Sequence, residues 1–394
     1  MPCGDERRLK MEQPRKPVLR VGLLGFGSMG RTHTWAVRNL PFHYGNLSFR
    51  AETAAVCTTT MEKSRRVCAE FGIAEAYDRV DELIARSDID IIDVCTPNIY
   101  HYDAVKVALA AGKHVLCEKP LATTPAQADE LANLAAQSGR VCGMVFNNRW
   151  LAPVLRAKQL LDEGRVGRVL HFHAAYLHNS CIDPERRVGW KQDKTVCGGG
   201  VLFDLGSHVI DLMMWLCGPI VRVSGMEQIA YASHPDRDGN EWATNADEAF
   251  YLTCRTAADA CGTITVSKIT QGANDDLSFE IYGEKGSLRF SLMEPNFLEF
   301  YDVSAPAAPQ GGTRGFTRIE CVNRYPDRVF PSPKAPAGWL NGHLESMRAY
   351  LSAVAGNCPF APSFSDGAAV QRVMDAAYRS AANRGVLSEV PVCL

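Results

Sequence analysis

A short apolar run ending in regularly spaced glycines constrains this chain more than any other feature. Val18, Leu19, Val21, Leu23 and Leu24, interrupted only by Arg20 and Gly22, have the composition of a buried parallel strand. Gly25, Gly27 and Gly30 follow in the spacing G-x-G-x-x-G, and Met29, Thr32, His33, Trp35 and Ala36 can continue as a helix. Each glycine has its own task in a dinucleotide site. The first permits the tight strand-to-helix turn, the second lets a pyrophosphate approach the backbone, and the third lets helix and strand pack closely. The helix N-terminus adds free N–H groups and a partial positive charge. The spacing alone also describes an ordinary tight turn. Its place between a strand pattern and a helix pattern favours dinucleotide binding, with Gly25, Phe26, Gly27, Ser28, Met29 and Gly30 as contacts.

The rest of the composition narrows the function classes. With 394 residues the chain is long enough for two domains. It is 46% hydrophobic and 22% charged with a net charge of −2, and it has neither a basic run nor zinc-finger spacing, so no nucleic-acid partner is expected. The first 17 residues are charged and proline-punctuated, which reads as a flexible tail and not as a secretory signal. Residues 201–221 are the longest apolar stretch but contain Asp204, His208 and Asp211, a poor membrane span. The 14 cysteines are scattered without a C-x-x-C, as expected of reduced thiols in a cytoplasmic protein.

Beyond the first βα unit, residues 42–50 read as a loop and 51–57 as a second strand. An acidic residue at the end of that strand would accept hydrogen bonds from an adenosine ribose, yet the chain reads Thr58-Thr59-Thr60. These hydroxyls, with Lys63, Arg65 and Arg66 beyond, can hold a 2′-phosphate, or the basic residues can be a solvated helix face. NAD and NADP both remain open. Helices over 64–71, 81–86, 100–111 and 126–138 alternate with strands over 89–94, 114–117 and 141–146. This rhythm predicts a doubly wound parallel sheet over residues 18–146. Ligands then bind at the strands' carboxyl ends, so Thr58, Thr59, Thr96, Pro97, Asn98, His101, Glu118 and Lys119 should share one crevice with the glycines.

GFGSMG, the triplet Thr96-Pro97-Asn98 followed by His101, and the triplet Glu118-Lys119-Pro120 together resemble the glucose–fructose oxidoreductase and inositol dehydrogenase (Gfo/Idh/MocA) family. The resemblance implies a Rossmann domain followed by an α+β domain with a largely antiparallel open sheet. It also implies an NAD(P)-dependent oxidoreductase acting on sugars and cyclitols, with Lys119 catalytic and its bond to Pro120 often cis. The physical case is independent: a lysine at a strand's carboxyl end can polarise a hydroxyl or carbonyl, and the rigid proline fixes its position.

From residue 147 to 394 the pattern changes. Residues 169–176 alternate as a strand carrying His171 and His173 on one face, which suits a groove or sheet surface better than a metal; no metal is expected. Three glycines, 198–200, give a flexible lead-in to Asp204, His208 and Asp211, spaced i, i+4 and i+7 on one face of a helix. A buried hydrogen-bond network would explain that stripe, but His208 as general base, oriented by a carboxylate, explains it better. The block also resembles the family's D-x-x-x-H signature, which places Asp204 and His208 beside Lys119 in the catalytic group.

Arg149, His178, Trp190 and Lys191 are candidate substrate contacts, together with Asp204 and His208, because a sugar needs polar groups at its rim and an aromatic face against its C–H surface. Further alternating strands to residue 292 build the open sheet, a surface for a homodimer or tetramer. Residues 305–337 form a Pro- and Gly-rich excursion, and helices over 345–355 and 368–382 return to the first domain. The expected activity is dehydrogenation of a sugar, a glycoside (at C3, for instance) or a cyclitol. Two alternatives are a redox-neutral glycosidase or eliminase working through transient oxidation with a retained cofactor, and a non-catalytic cofactor-binding sensor.

Overall fold

The computed structural model describes residues 16–391. Of the expected tail, residues 1–15 lie outside the described residues. The first half contains β1 (Val18–Leu24), α1 (Ser28–His43), β2 (Arg50–Cys57), α2 (Met61–Phe71), β3 (Glu75–Tyr77), α3 (Val80–Ile84), β4 (Ile91–Val94), α4 (His101–Ala110), β5 (His114–Cys117), α5 (Pro125–Ser138) and β6 (Cys142–Met144). The strands form one parallel sheet in the order β3-β2-β1-β4-β5-β6, so the chain reverses direction across the sheet between β1 and β4. This is where a doubly wound sheet opens a crevice. Strand β3 was not anticipated, because three residues carry no readable period. Helix α2 begins before the expected residue 64 because the Thr60 hydroxyl caps it, accepting from the Lys63 N–H at 3.2 Å.

The second half adds α6 (Ala152–Asp162), β7 (Val169–Leu177), α7 (Lys194–Cys197), a π-helical turn (Leu202–Gly206), α8 (Ser207–Cys217), β8 (Ile220–Gln228), β9 (Ser233–Pro235) and β10 (Glu241–Ala243). It continues with β11 (Ala249–Thr256), β12 (Cys261–Ser267), β13 (Asp276–Gly283), β14 (Gly286–Ser291), β15 (Phe297–Asp302), β16 (Phe316–Glu320), α9 (Trp339–Gly356), α10 (Phe364–Ala382) and β17 (Ser388–Glu389). Nine strands make a sheet ordered β16-β15-β14-β13-β7-β12-β11-β8-β17, antiparallel except between β7 and β12. Its inner face is apolar: Leu277, Phe279 and Ile281 of β13 are buried alternately and meet Phe172 of β7. His171 and His173 lie on the other face, where His171 stacks on Tyr282 at 4.7 Å.

Two expectations need correction here. The excursion over 305–337 contains β16, which extends the sheet by pairing with β15. The glycines at 198–200 are not a flexible lead-in. Asp247 receives the Gly200 and Leu202 N–H groups on its carboxylate at 2.9 Å, and a Cβ on Gly200 would stand 2.3 Å from the Asp247 carbonyl oxygen. Glycine is there because another chain segment passes too close for a side chain.

Helix α9 packs against α1, and α10 against α5 and β8, so the last helices join the two sheets. The most apolar part of Lys194–Cys217 is 78% buried, which makes it core.

Candidate active site

The strand tips of the first sheet open onto a cavity of about 1260 Å³. Its floor is the glycine turn. Gly25 has φ +88°, and a Cβ there would lie 2.6 Å from the Cys95 carbonyl oxygen. A Cβ on Gly30 would lie 2.5 Å from the Gly25 carbonyl oxygen, whereas one on Gly27 would meet nothing within 4 Å. Two glycines are therefore required by the protein itself, and the space beside the middle one faces the cavity. Helix α1 starts there with no side chain capping its N–H groups. These are the features that fit a dinucleotide's pyrophosphate.

Most of the anticipated residues line this cavity: Gly25 to Met29, Thr58, Thr59, Thr96 to Asn98, Glu118, Lys119, His178, Trp190, Lys191, Asp204 and His208. Three do not. Gly30 packs behind the turn. His101 is fully buried with its ring nitrogens 2.9 Å from the Thr96 and Pro120 carbonyl oxygens, so it braces two strand tips and is not a cofactor contact. Arg149 is not a substrate contact either. Its guanidinium is buried, donating to Asp211 at 2.8 and 2.5 Å and to Asp366 at 3.0 Å, and it ties the turn after β6 to α8 and α10.

The same ion pair overturns the expected stripe of Asp204, His208 and Asp211. The π-helical turn over Leu202–Gly206 changes the helix's rotation ahead of α8. Asp204 and His208 face the cavity, while Asp211, three residues beyond His208 on regular α8, pairs with Arg149.

At the second half's edge of the cavity, Asp204 gathers three ammonium groups. Lys119 Nζ lies 2.9 Å from its Oδ1 and donates to its carbonyl oxygen at 2.7 Å; Lys191 Nζ reaches Oδ1 at 2.8 Å and Lys268 Nζ reaches Oδ2 at 3.0 Å. The Lys119–Pro120 peptide is cis. Burial opposes ionisation of Asp204, but the three lysines override it and hold the carboxyl well below its ordinary value. Burial also lowers Lys119, a shift that Asp204 counters. Beside them His208 sits between the edges of Phe146 and Tyr176, with centroids at 6.3 and 5.9 Å, and its Nδ1 has no partner. Burial first, and then Lys119, push its pKa down to about 3, so the imidazole is neutral.

On the first half's edge, Glu118 turns the other way. Its Oε1 lies 3.3 Å from His33 Nε2, and His33 Nδ1 lies 2.9 Å from Asp93 Oδ2. Burial disfavours the His33 cation, but Asp93 and the neighbouring Cys95 raise its pKa well above the ordinary value. Burial likewise works against Glu118, yet His33 and Lys119 draw it down to about 2. The cluster is a buried imidazolium between two carboxylates.

Several lining residues carried no readable signal. Lys268 is a lone lysine at the end of an apolar strand, Trp339 and His343 sit on an otherwise ordinary amphipathic helix, and Asp275 accepts from Tyr176 at 2.6 Å and pairs with His178 at 2.8 Å. Asp78 and Asp81 follow β3, the unanticipated strand, and face the cavity near Thr58, whose own hydroxyl is engaged by Ser64 at 2.8 Å. Of the basic residues beyond Thr60, Lys63 lines the cavity, while Arg65 and Arg66 are exposed elsewhere.

Comparison with known proteins gives a consistent picture. Residues 19–146 match the model of an oxidoreductase family with an NAD-binding Rossmann fold, and residues 154–289 match the GFO/IDH/MocA C-terminal domain. Levoglucosan dehydrogenase of Pseudarthrobacter phenanthrenivorans is 28% identical over 92% of this chain and 96% of its own. D-glucoside 3-dehydrogenase of Escherichia coli is 30% identical over 51% of this chain and 54% of its own. A solved structure of levoglucosan dehydrogenase in complex with NADH superposes with a TM-score of 0.91 at 28% identity, covering 95% of this chain and all of the other.

Proposed function

Because the chain belongs to the Gfo/Idh/MocA oxidoreductase family, we propose that it is an NAD(P)-dependent dehydrogenase acting on a carbinol of a sugar, glycoside or cyclitol. One observation carries the reading: Lys119, from a strand tip of the first sheet, meets Asp204 at 2.9 Å beside His208, in a cavity continuous with the glycine turn. When bound, the nicotinamide exchanges a hydride with the carbinol carbon. His208 takes the hydroxyl proton on a ring that burial keeps neutral. Lys119 holds the oxygen and stabilises its developing negative charge, with Asp204 fixing the ammonium's direction. His178, Trp190 and Lys191 surround the rest of the sugar, with Asp275 orienting His178.

We assign residues 18–146 to cofactor binding and 147–394 to substrate binding and self-association. Asp78 and Asp81 place negative charge at the cavity end where a 2′-phosphate would lie, which supports NAD over NADP. The outer face of the nine-stranded sheet, carrying exposed Leu170, Met226 and Tyr251, is the proposed contact between copies, and the unpaired described cysteines suit a cytoplasmic protein.

Incubation with NAD and a panel of free sugars, anhydrosugars, cyclitols and aryl glycosides tests the activity, with NADH absorbance and aglycone release followed together. NADH should accumulate with one class. Aglycone release without net NADH would replace dehydrogenation with redox-neutral cleavage, and silence in both would favour a sensor.

A further inference from the structure

Buried polar atoms without partners converge on the cavity between the two ion clusters. They are Thr96 Oγ1, His208 Nδ1 and both ring nitrogens of His343, and beside them Glu118 Oε1 has only a 3.3 Å contact with His33 Nε2. A buried polar atom left unpaired is costly, and such atoms gathered at one cavity mark a ligand that completes them. His208 has its use in the proposed reaction. His343 has none, though it is 3% exposed, lines the cavity and is pressed against Trp339 at 4.3 Å, one turn earlier on α9.

We infer that His343 and Glu118 form the receptor for the carboxamide of the nicotinamide, His343 donating to its carbonyl oxygen and Glu118 accepting from its NH2. The inference rests on the NAD(P) reading. The match is one of donors and acceptors. Burial and the nearby His33 cation push the His343 pKa down to about 3, so the ring is neutral and offers one N–H and one lone pair. Glu118 is ionised and offers lone pairs alone, and an amide presents the complementary set. A sugar hydroxyl would suit His343 equally well, but position argues against it. Glu118 and Thr96 rise from the strand tips that carry the cofactor cradle, whereas His178, Lys191 and Asp275 come from the second half. His33, held by Asp93, keeps the Glu118 carboxylate in place and acts as a positioning residue. The cofactor's reactive ring would thus be gripped from both halves, with α9 supplying the second hand.

Equilibrium binding tests this without turnover. NADH, the reduced 3-acetylpyridine analogue (in which a methyl replaces the amide NH2) and ADP-ribose are titrated into the full-length protein and into His343→Phe and His343→Gln. Loss of one hydrogen bond to a buried group should weaken NADH binding to His343→Phe about tenfold, with ADP-ribose within about twofold of wild type. His343→Gln, which retains an N–H, should recover most of the loss. Wild type should bind the acetylpyridine analogue about tenfold more weakly than NADH, and Glu118→Ala should abolish that difference. Unchanged NADH affinity in His343→Phe overturns the inference, as does an equal loss for ADP-ribose or an effect confined to the sugar's KM. A wild-type protein that binds neither NADH nor ADP-ribose overturns the dinucleotide reading instead.

Discussion

Glu118 and Lys119 are neighbours in sequence, yet they serve two buried ion clusters of opposite sign. Lys119 joins Lys191 and Lys268 around the single carboxylate of Asp204. Glu118 joins Asp93 around the single imidazolium of His33. Each cluster is tolerable because every buried charge has a partner and Lys191 keeps nearly half of its side chain in solvent, but neither is neutral. The lysine cluster carries surplus positive charge where the proposed alkoxide would develop, and the carboxylate cluster carries surplus negative charge where the oxidised nicotinamide would bring a cation. Two adjacent residues at one strand end thus let a single cavity offer opposite fields to the two reactants.

The contrast can be broken most directly at Lys119. Lys119→Ala should lower kcat by about 10³-fold, while NADH affinity measured by fluorescence titration changes less than about threefold. A fully active variant would end the assignment. Arg149 sharpens the contrast as a control, since it belongs to a third buried ion group away from the cavity. Arg149→Met leaves Asp211 without its partner and should cost about 3–5 kcal/mol in urea denaturation. The kcat of the folded fraction should be retained, and a selective loss of kcat at full stability would return Arg149 to the site.

His208 tests the lysine side through pH. Its folded pKa, pushed down to about 3, lies below its unfolded value, so between about pH 6.5 and 3 the unfolded chain holds the extra proton. The stability that His208 allows is full above that range and falls as pH drops through it. His208→Asn should flatten the dependence of unfolding free energy on pH by up to about 1.4 kcal/mol per pH unit and lower kcat by about 10²-fold. An unchanged slope with unchanged kcat would remove it as the proton acceptor. The smallest effect belongs to the carboxylate side. Glu118→Gln should weaken NAD more than NADH, shifting the ratio of their dissociation constants by about three- to tenfold, as calorimetry of both forms can determine. Equal losses would show that the cluster's charge is not felt by the ring.

Much of this site was legible before any fold was known, and the parts that were not share a cause. Lys119 and the glycines sit in short local motifs whose geometry is set by a strand, a turn and a helix start. Arg149 and His101 had the residue types of contacts, but their side chains turn inward to partners far away in the chain, Asp211 and Asp366 for one and the Pro120 carbonyl for the other. Asp211 stands one turn from His208 on regular α8, but its carboxylate is taken by Arg149, 62 residues away in the chain, which local spacing does not register. Lys268 and His343 belong to an ordinary strand and an ordinary helix, so no local pattern separates them from structural residues.

By itself the amino-acid sequence determined the alternation of strands and helices, the glycine turn and the chemical types of the side chains proposed to react, because these depend on neighbours within a few residues. Tertiary structure alone decided which charges meet. Asp204 acquires its three lysines from three separate segments, and His33 and His343 approach Glu118 from α1 and α9. Ion pairing and desolvation act through space over a few ångströms, and separation along the chain does not register that distance.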